Sequence, residues 1–266
     1  MISPVNISRR LKYLFGIIIL SWSLFIFLRF SFFFLFYEPT SLVDVLKSFW
    51  IGARFDLRLS ILLSLPCLII TIVPVIKFWK FSYTVFVANW SYPLALTSAF
   101  FFYIFDFATY GYTQQRIDIT VFTLLENFTI SLGMIWESYP VIRLLLLVLI
   151  ICLLCIKVHS WLINSTLKKQ KVFQTKYQKA FQIIFCFFVY VFGFWGTLSQ
   201  YMLLWSDAFF SRSSFISALA LNPVLYFYDT TTFQEVDFEI DKVKESYPII
   251  SNYLGTTNPN INNLNY

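Results

Sequence analysis

GTLSQYMLLWSDAFFSRSSFISALALNPVLYFYDT, residues 196–230, is the stretch on which the reading of the fold turns. It carries Asp207, Arg212 and Asp229 and several serines, so it is too polar to cross a bilayer, where a central charge costs roughly 2.5–3.5 kcal/mol. It is also too aromatic for a free loop. It reads as structure hugging a leaflet surface, with membrane before it and a polar tail after it. Ser206 and Asp207 look like a helix start, Ser206 as N-cap and Asp207 at the positive end of the dipole. A helix is expected over 208–221, ending before Asn222-Pro223. Phe209, Phe210, Phe215, Ile216, Leu219 and Ala220 would then face lipid or a helical bundle. Residues 224–228 add another aromatic turn.

Composition supports the membrane reading. Of 266 residues, 58% are hydrophobic and only 13% charged, with mean hydropathy +0.70. A soluble domain has about 25% charged residues. The expected fold is all-α and polytopic, with five transmembrane helices over about 13–36, 59–76, 81–105, 140–158 and 180–198. Each is close to the ~20 apolar residues a crossing needs. Together with 196–230 they form one domain, residues 1–230. Residues 231–266 form a tail, with a short exposed helix over 237–247 and then a Gly/Asn/Pro-rich, linker-like stretch.

Amphipathic helices are expected at the outer face between the spans. Leu42, Val43, Leu46, Phe49 and Trp50 recur at helical spacing, as an interfacial helix would have them. Residues 121–136 read as a second surface helix. In Arg54-Phe-Asp-Leu-Arg58 an extended backbone puts all three charges on one side, whereas a helical one puts Arg54 and Arg58 on one face and turns Asp56 away. Arg29 is the single charge in the first span. It either snorkels to the outer interface or pairs with a carboxylate such as Asp56 or Asp106.

Basic residues set the orientation. The segments 1–12, 77–80 and 157–179 are rich in Lys and Arg and hold no Asp or Glu. They are expected on the cytoplasmic side. The net charge of +6 therefore reflects topology, and no nucleic-acid partner is expected. The N-terminus is placed inside and the C-terminus outside.

The usual catalytic groupings are missing. His159 is the only histidine and falls on the inner side, so no Ser-His-Asp arrangement forms with the outer carboxylates. Asp106, Asp118, Glu126 and Glu137 are spread along one segment without metal-ligand spacing. Cys152-x-x-Cys155 lies in an apolar span and reads as two small hydrophobes. No catalytic or metal residue is assigned. The outer guanidinium groups, Arg54, Arg58, Arg116 and Arg212, match phosphate geometry with paired donors. With Asp56, Asp106, Glu137, Ser206 and Asp207 they form the candidate set for holding a lipid headgroup or docking a second domain. The spans are read as free of paired intramembrane charges, which counts against a small transporter or channel.

Four motifs carry a family resemblance: ARFDLR at 53–58, FDFATYGYTQQR at 105–116, SLGMIWESYPV at 131–141, and the long run from Leu198 to Thr230. The chain resembles the membrane domain of lipoteichoic-acid-synthase-like phosphoglycerol transferases and their inner-membrane sulfatase relatives, in the alkaline phosphatase superfamily. The resemblance implies a five-helix anchor in the bacterial inner membrane, followed by an extracytoplasmic catalytic domain. That domain would use a Thr nucleophile and manganese or magnesium, and would move phosphoglycerol or phosphoethanolamine from lipid donors. None of its residues maps onto this chain, which ends where that domain would begin. The expectation is therefore an anchor truncated or split before its catalytic domain and inactive alone, with no cofactor of its own. Its partners would be membrane lipids and a separately encoded catalytic domain. The competing reading is a non-enzymatic membrane partner that docks such a domain or a lipid headgroup.

Overall fold

The computed structural model describes residues 8–72, 82–125, 129, 133, 136–137, 139–166, 175–197, 199–232, 240–255 and 260–261. Among them the regular structure is entirely helical. Two units are distinguished, residues 1–230 and 231–266.

Helix α1, Arg9–Leu35, is the spine of the first unit. Ser8 caps it, its hydroxyl accepting from Leu11 N at 3.2 Å. Its buried positions include Leu11, Leu14, Ile18, Ser21, Phe25, Leu28 and Phe32. That alternation of threes and fours is the seam of a helix buried along one stripe. The stripe packs on α2, Leu42–Ile72, and on α3, Ser82–Thr113. Helix α4, Val141–Thr166, joins α1 and α3, and α5, Lys176–Trp195, lies against α2. A capping box starts α5: Thr175 Oγ1 accepts from Gln178 N while Gln178 Oε1 accepts from Thr175 N. Gly196 ends it at φ 76°, a left-handed turn that glycine adopts without a Cβ penalty.

Four helices are long and apolar enough to cross a membrane: Arg9–Leu35, Trp90–Thr113, Val141–Thr166 and Lys176–Trp195. On α4 the apolar side chains are exposed or partly exposed, and His159 and Ile163 are its buried residues. Such a surface suits contact with lipid.

The expected interfacial helix at 42–50 and the expected span from 59 are one continuous helix, α2. Arg54, Asp56 and Arg58 interrupt the hydropathy but not the helix, because each finds a partner inside the fold. The Lys77–Lys80 turn lies outside the described residues. Helix α3 runs two turns past the expected end at 105, since Asp106 is buried and paired rather than meeting solvent. Of the expected surface helix at 121–136, a 3-10 helix over Ile119–Leu125 is observed, and most of the remainder lies outside the described residues.

Residues 196–230 also differ from expectation. Ser206 does not cap a long helix. It lies inside a 3-10 turn, Trp205–Ala208, where Asp207 Oδ2 reaches back to accept from Leu204 N at 2.9 Å. The helix starts seven residues later, with Ser213 as cap, and α6 spans only Ser214–Ala220. Phe215 to Ala220 are all buried against the bundle, while Phe209 stays half exposed. Helix α7, Pro223–Thr230, follows at once.

In the second unit, α8 covers Ile240–Leu254 and continues through Pro248, where an end at 247 was expected. Tyr247 is buried there, its hydroxyl accepting from Asn260 N at 3.2 Å.

Candidate functional site: a buried charge cluster and an open groove

Arg29, toward the end of α1, does not snorkel. Arg29 is buried, and its guanidinium is fully engaged. Nε donates to Asp56 Oδ2 at 2.9 Å and Nη2 to Asp56 Oδ1 at 2.7 Å. Nη2 also donates to Gly52 O at 3.1 Å, and Nη1 to Leu221 O at 3.2 Å and to Leu219 O. Gly52 is required for this approach: a Cβ there would fall on the guanidinium itself. Asp56 Oδ1 accepts a further bond from Asn222 Nδ2 at 2.9 Å, and Asn222 donates to the Tyr103 hydroxyl at 2.8 Å. Asn222 Oδ1 accepts from Val224 N and Leu225 N, capping α7. One cluster thus ties together α1, α2, α3, α6 and α7.

A second pair lies one turn along. Arg116 Nη1 donates to Asp106 Oδ2, and its Nε donates to Ala218 O at 2.9 Å. Its guanidinium stands 3.8 Å from the centroid of the Phe32 ring. Asp106 Oδ1 accepts from Ile117 N at 3.1 Å. Two buried ion pairs therefore lie among these elements: Arg29 on α1 with Asp56 on α2, and Asp106 on α3 with Arg116 just beyond its end.

On the opposite face of α2, Arg58 donates to Phe194 O at 2.7 Å and Trp195 O at 3.1 Å. Arg54 Nη1 lies 3.5 Å from Gly196 O. The split of Arg54 and Arg58 from Asp56 follows the helical spacing. A pattern runs through these contacts. The last carbonyls of a helix have no partner within it, and the negative end of its dipole favours cations. Arg58 and Arg54 answer the end of α5, and Arg29 and Arg116 answer the end of α6.

The structure therefore buries Asp56 in the Arg29 cluster and Asp106 with Arg116 in the neighbouring pair, and spends Arg54 and Arg58 on nearby carbonyls. Glu137, Ser206, Asp207 and Arg212 are exposed and stand apart from both. Arg29, Gly52, Tyr103 and Asn222 complete the cluster. Arg29 was legible as an anomalous charge in a span. Tyr103 and Asn222 had no signal, being joined to Asp56 only through the tertiary fold. Asp229, half-buried on α7, has its carboxyl pushed above the usual carboxylate range by burial, while Arg58 pulls it the other way.

At the far end of α1 His159 is buried rather than solvated among lysines, its Nε2 2.6 Å from the Tyr13 hydroxyl. Tyr13 also donates to Cys67 Sγ at 3.4 Å. These contacts hold α4 to α1 and α2. All four cysteines are free thiols. Among the described residues no three His, Cys, Asp or Glu side chains converge as a metal site.

An open groove of about 420 Å³ runs between the end of α3 and the loop before α6. Gln114, Gln115, Ser211, Arg212, Ser214 and Tyr226 line it, with Arg116 at its base. Comparisons with protein-family models, curated proteins and solved structures return no match to this chain.

Proposed function

We propose that this chain is the membrane-anchor domain of a phosphoglycerol-transferase-like or sulfatase-like system, holding a fixed outer seat for an extracytoplasmic catalytic domain. The observation that carries this reading is the set of arginine-to-carbonyl contacts. Arg54 and Arg58 bind the carbonyls of Phe194, Trp195 and Gly196, and Arg29 and Arg116 those of Ala218, Leu219 and Leu221, so the segment after the last span is fastened to the helices at its start and at the end of α6. A passive tether would not require this. A seat that fixes where the following chain leaves the membrane would. Of the motifs quoted above, the run from Leu198 to Thr230 forms the seat, ARFDLR lies mid-way along α2, and FDFATYGYTQQR covers the end of α3 and the turn after it. In this reading the part of α2 from residue 59 supplies a fifth span. The lysine-rich segments face the cytoplasm of a bacterial cell, residues 196–230 face the periplasm, and catalysis with its manganese or magnesium belongs to the seated domain.

The test has two arms. Single cysteines at Ser206 and Lys176 are probed with a membrane-impermeant thiol reagent on intact cells. Labelling at 206 and protection at 176 fit the proposed orientation, and the reverse pattern overturns it. The tagged chain is then isolated from native membranes in mild detergent. A metal-dependent hydrolase-type domain, on the same polypeptide or co-purifying, supports the anchor reading. Recovery without any such domain overturns it.

A further inference from the structure

The open groove carries two opposite charges on different segments: Asp118, beyond the end of α3, and Arg212, in the loop before α6. They form no ion pair with each other, and neither has one with another described residue. Arg212 is exposed. Asp118 is half-buried, and its Oδ1 accepts from Thr120 N at 3.0 Å and from the Thr120 hydroxyl, which leaves Oδ2 for a ligand. The remaining charge in the groove, Arg116, is neutralised by Asp106. The groove is therefore neutral overall but dipolar. An anion paired with Arg212 would bring its charge toward Asp118, and a cation on Asp118 would face Arg212. An uncharged ligand would leave both charges unpaired. A small zwitterion answers the two at once, its anionic end on the guanidinium fork and its cationic end on the carboxylate.

The walls are preformed, which lowers the ordering cost of binding. Gln114 is held in the left-handed region at φ 57° beyond the end of α3, its N donating to Tyr110 O at 2.9 Å. Ser211 donates to Asp44 Oδ2 at 3.1 Å, and Lys47 of the same helix lies 4.2 Å over the Phe210 ring, so α2 fixes the loop that carries Arg212. Burial and the charge of Asp118 push the Tyr226 phenol above its ordinary value, so its hydroxyl remains protonated in the groove. The volume of about 420 Å³ falls within the roughly 300–1,000 Å³ of small-molecule sites. Phe209, at 51% exposure, adds an apolar wall.

We propose that this groove binds a free α-amino acid, with Arg212 pairing its carboxylate, Asp118 pairing its ammonium group, and Gln114, Gln115 and Ser214 supplying neutral hydrogen bonds to both ends. A single guanidinium matches the two oxygens of a carboxylate. A phosphate monoester would set a second negative charge near Asp118, which favours the carboxylate as the anionic end. Phe209 offers a surface to the amino acid's side chain. The inference requires no companion domain, so it can fail while the anchor reading stands, and the reverse.

The test uses the full chain in dodecyl maltoside, titrated calorimetrically with glycine, L-alanine, L-serine and L-phenylalanine and, separately, with phosphoethanolamine. The expected result is one saturable site for at least one of the amino acids, weakened about tenfold or more in Arg212→Gln and in Asp118→Asn, as loss of a charge-assisted pair predicts. Asparagine keeps the oxygen that accepts from Thr120 N, and unchanged unfolding temperatures show that both variants are folded. Arg143→Gln, at an exposed arginine on α4, should leave affinity unchanged. On the wild-type chain, the methyl ester and the N-acetyl form of the bound amino acid should each lose about tenfold or more, because each lacks one charge. Tighter binding of phosphoethanolamine than of every amino acid overturns the amino-acid assignment. Blocked forms that bind as well as the parent, variants that bind as wild type does, or no saturable site for any of the four, overturn the proposal.

Discussion

Arg29 on α1 and Asp56 on α2 lie 2.7 Å apart, their side chains 2% and 0% exposed. Removing one partner of a buried pair costs about 3–5 kcal/mol, because the other charge is stranded. Replacing both with apolar residues is often nearly neutral. Here that recovery should be partial, because Arg29 also serves the carbonyls of Gly52, Leu219 and Leu221. Asp56→Leu and Arg29→Met should each lower the unfolding temperature sharply in detergent. The double variant should fall between the better single variant and wild type. Thermal unfolding followed by fluorescence-detected gel filtration reads the result, and simple additivity of the two losses would refute the coupling.

Arg116 makes a prediction about shape rather than charge. Its guanidinium pairs Asp106, donates to Ala218 O and lies on Phe32 at once. Lysine keeps the charge but not the planar fork. Arg116→Lys should cost about 1–2 kcal/mol from the lost stacking and carbonyl bond. The exposed Arg143→Lys should stay within about 0.5 kcal/mol of wild type. Equal stability of the two variants would mean that the fork is not needed.

The helical class and the apolar segments were legible because hydropathy over ~20 residues is a local property. The separation of Asp56 from Arg54 and Arg58 was legible only conditionally: a helix turns Asp56 away at 3.6 residues per turn, an extended backbone would put all three on one side. The continuity of α2 was not legible. A window that meets Arg54, Asp56 and Arg58 registers an interface, and only contacts with residues far away in sequence show that those charges are accommodated inside. The choice between Ser206 and Ser213 as cap was equally hidden. Both serines have good N-cap chemistry, and the outcome depends on Asp207 turning back to Leu204 and on Phe215 and Leu219 filling the bundle. The groove escaped for the same reason: Gln114 and Arg212 meet only in the fold.

Glycine substitutions separate a rigid neighbour from a yielding one. A Cβ at Gly52 would meet the Arg29 guanidinium, which its hydrogen bonds hold in place. A Cβ at Gly193 would meet the end of the Ile61 side chain. Gly52→Ala should therefore abolish most folded protein in membranes. Gly193→Ala should cost about 1–3 kcal/mol from overpacking, and Ile61→Val should restore part of it by removing the offending methyl. Failure of Ile61→Val to improve Gly193→Ala would show that the neighbour has been misidentified.

Asp229 gives the pH dependence its sign. Burial raises its carboxyl above the ordinary value of 3.8, against the pull of Arg58. Between the ordinary value and the raised one the folded chain binds more protons than the unfolded chain, so stability falls as pH rises through that window. Above the window the cost is fully present, and below the ordinary value it vanishes. Asp229→Asn should therefore unfold at a slightly higher temperature than wild type at pH 7. The difference should shrink as the pH is lowered and disappear below about 3.8. The effect should be small, since the carboxyl is only half-buried and solvent screens it. Unfolding temperatures of the two proteins across a pH series decide the point. A variant less stable than wild type at pH 7 would mean that the attraction of Arg58 outweighs burial.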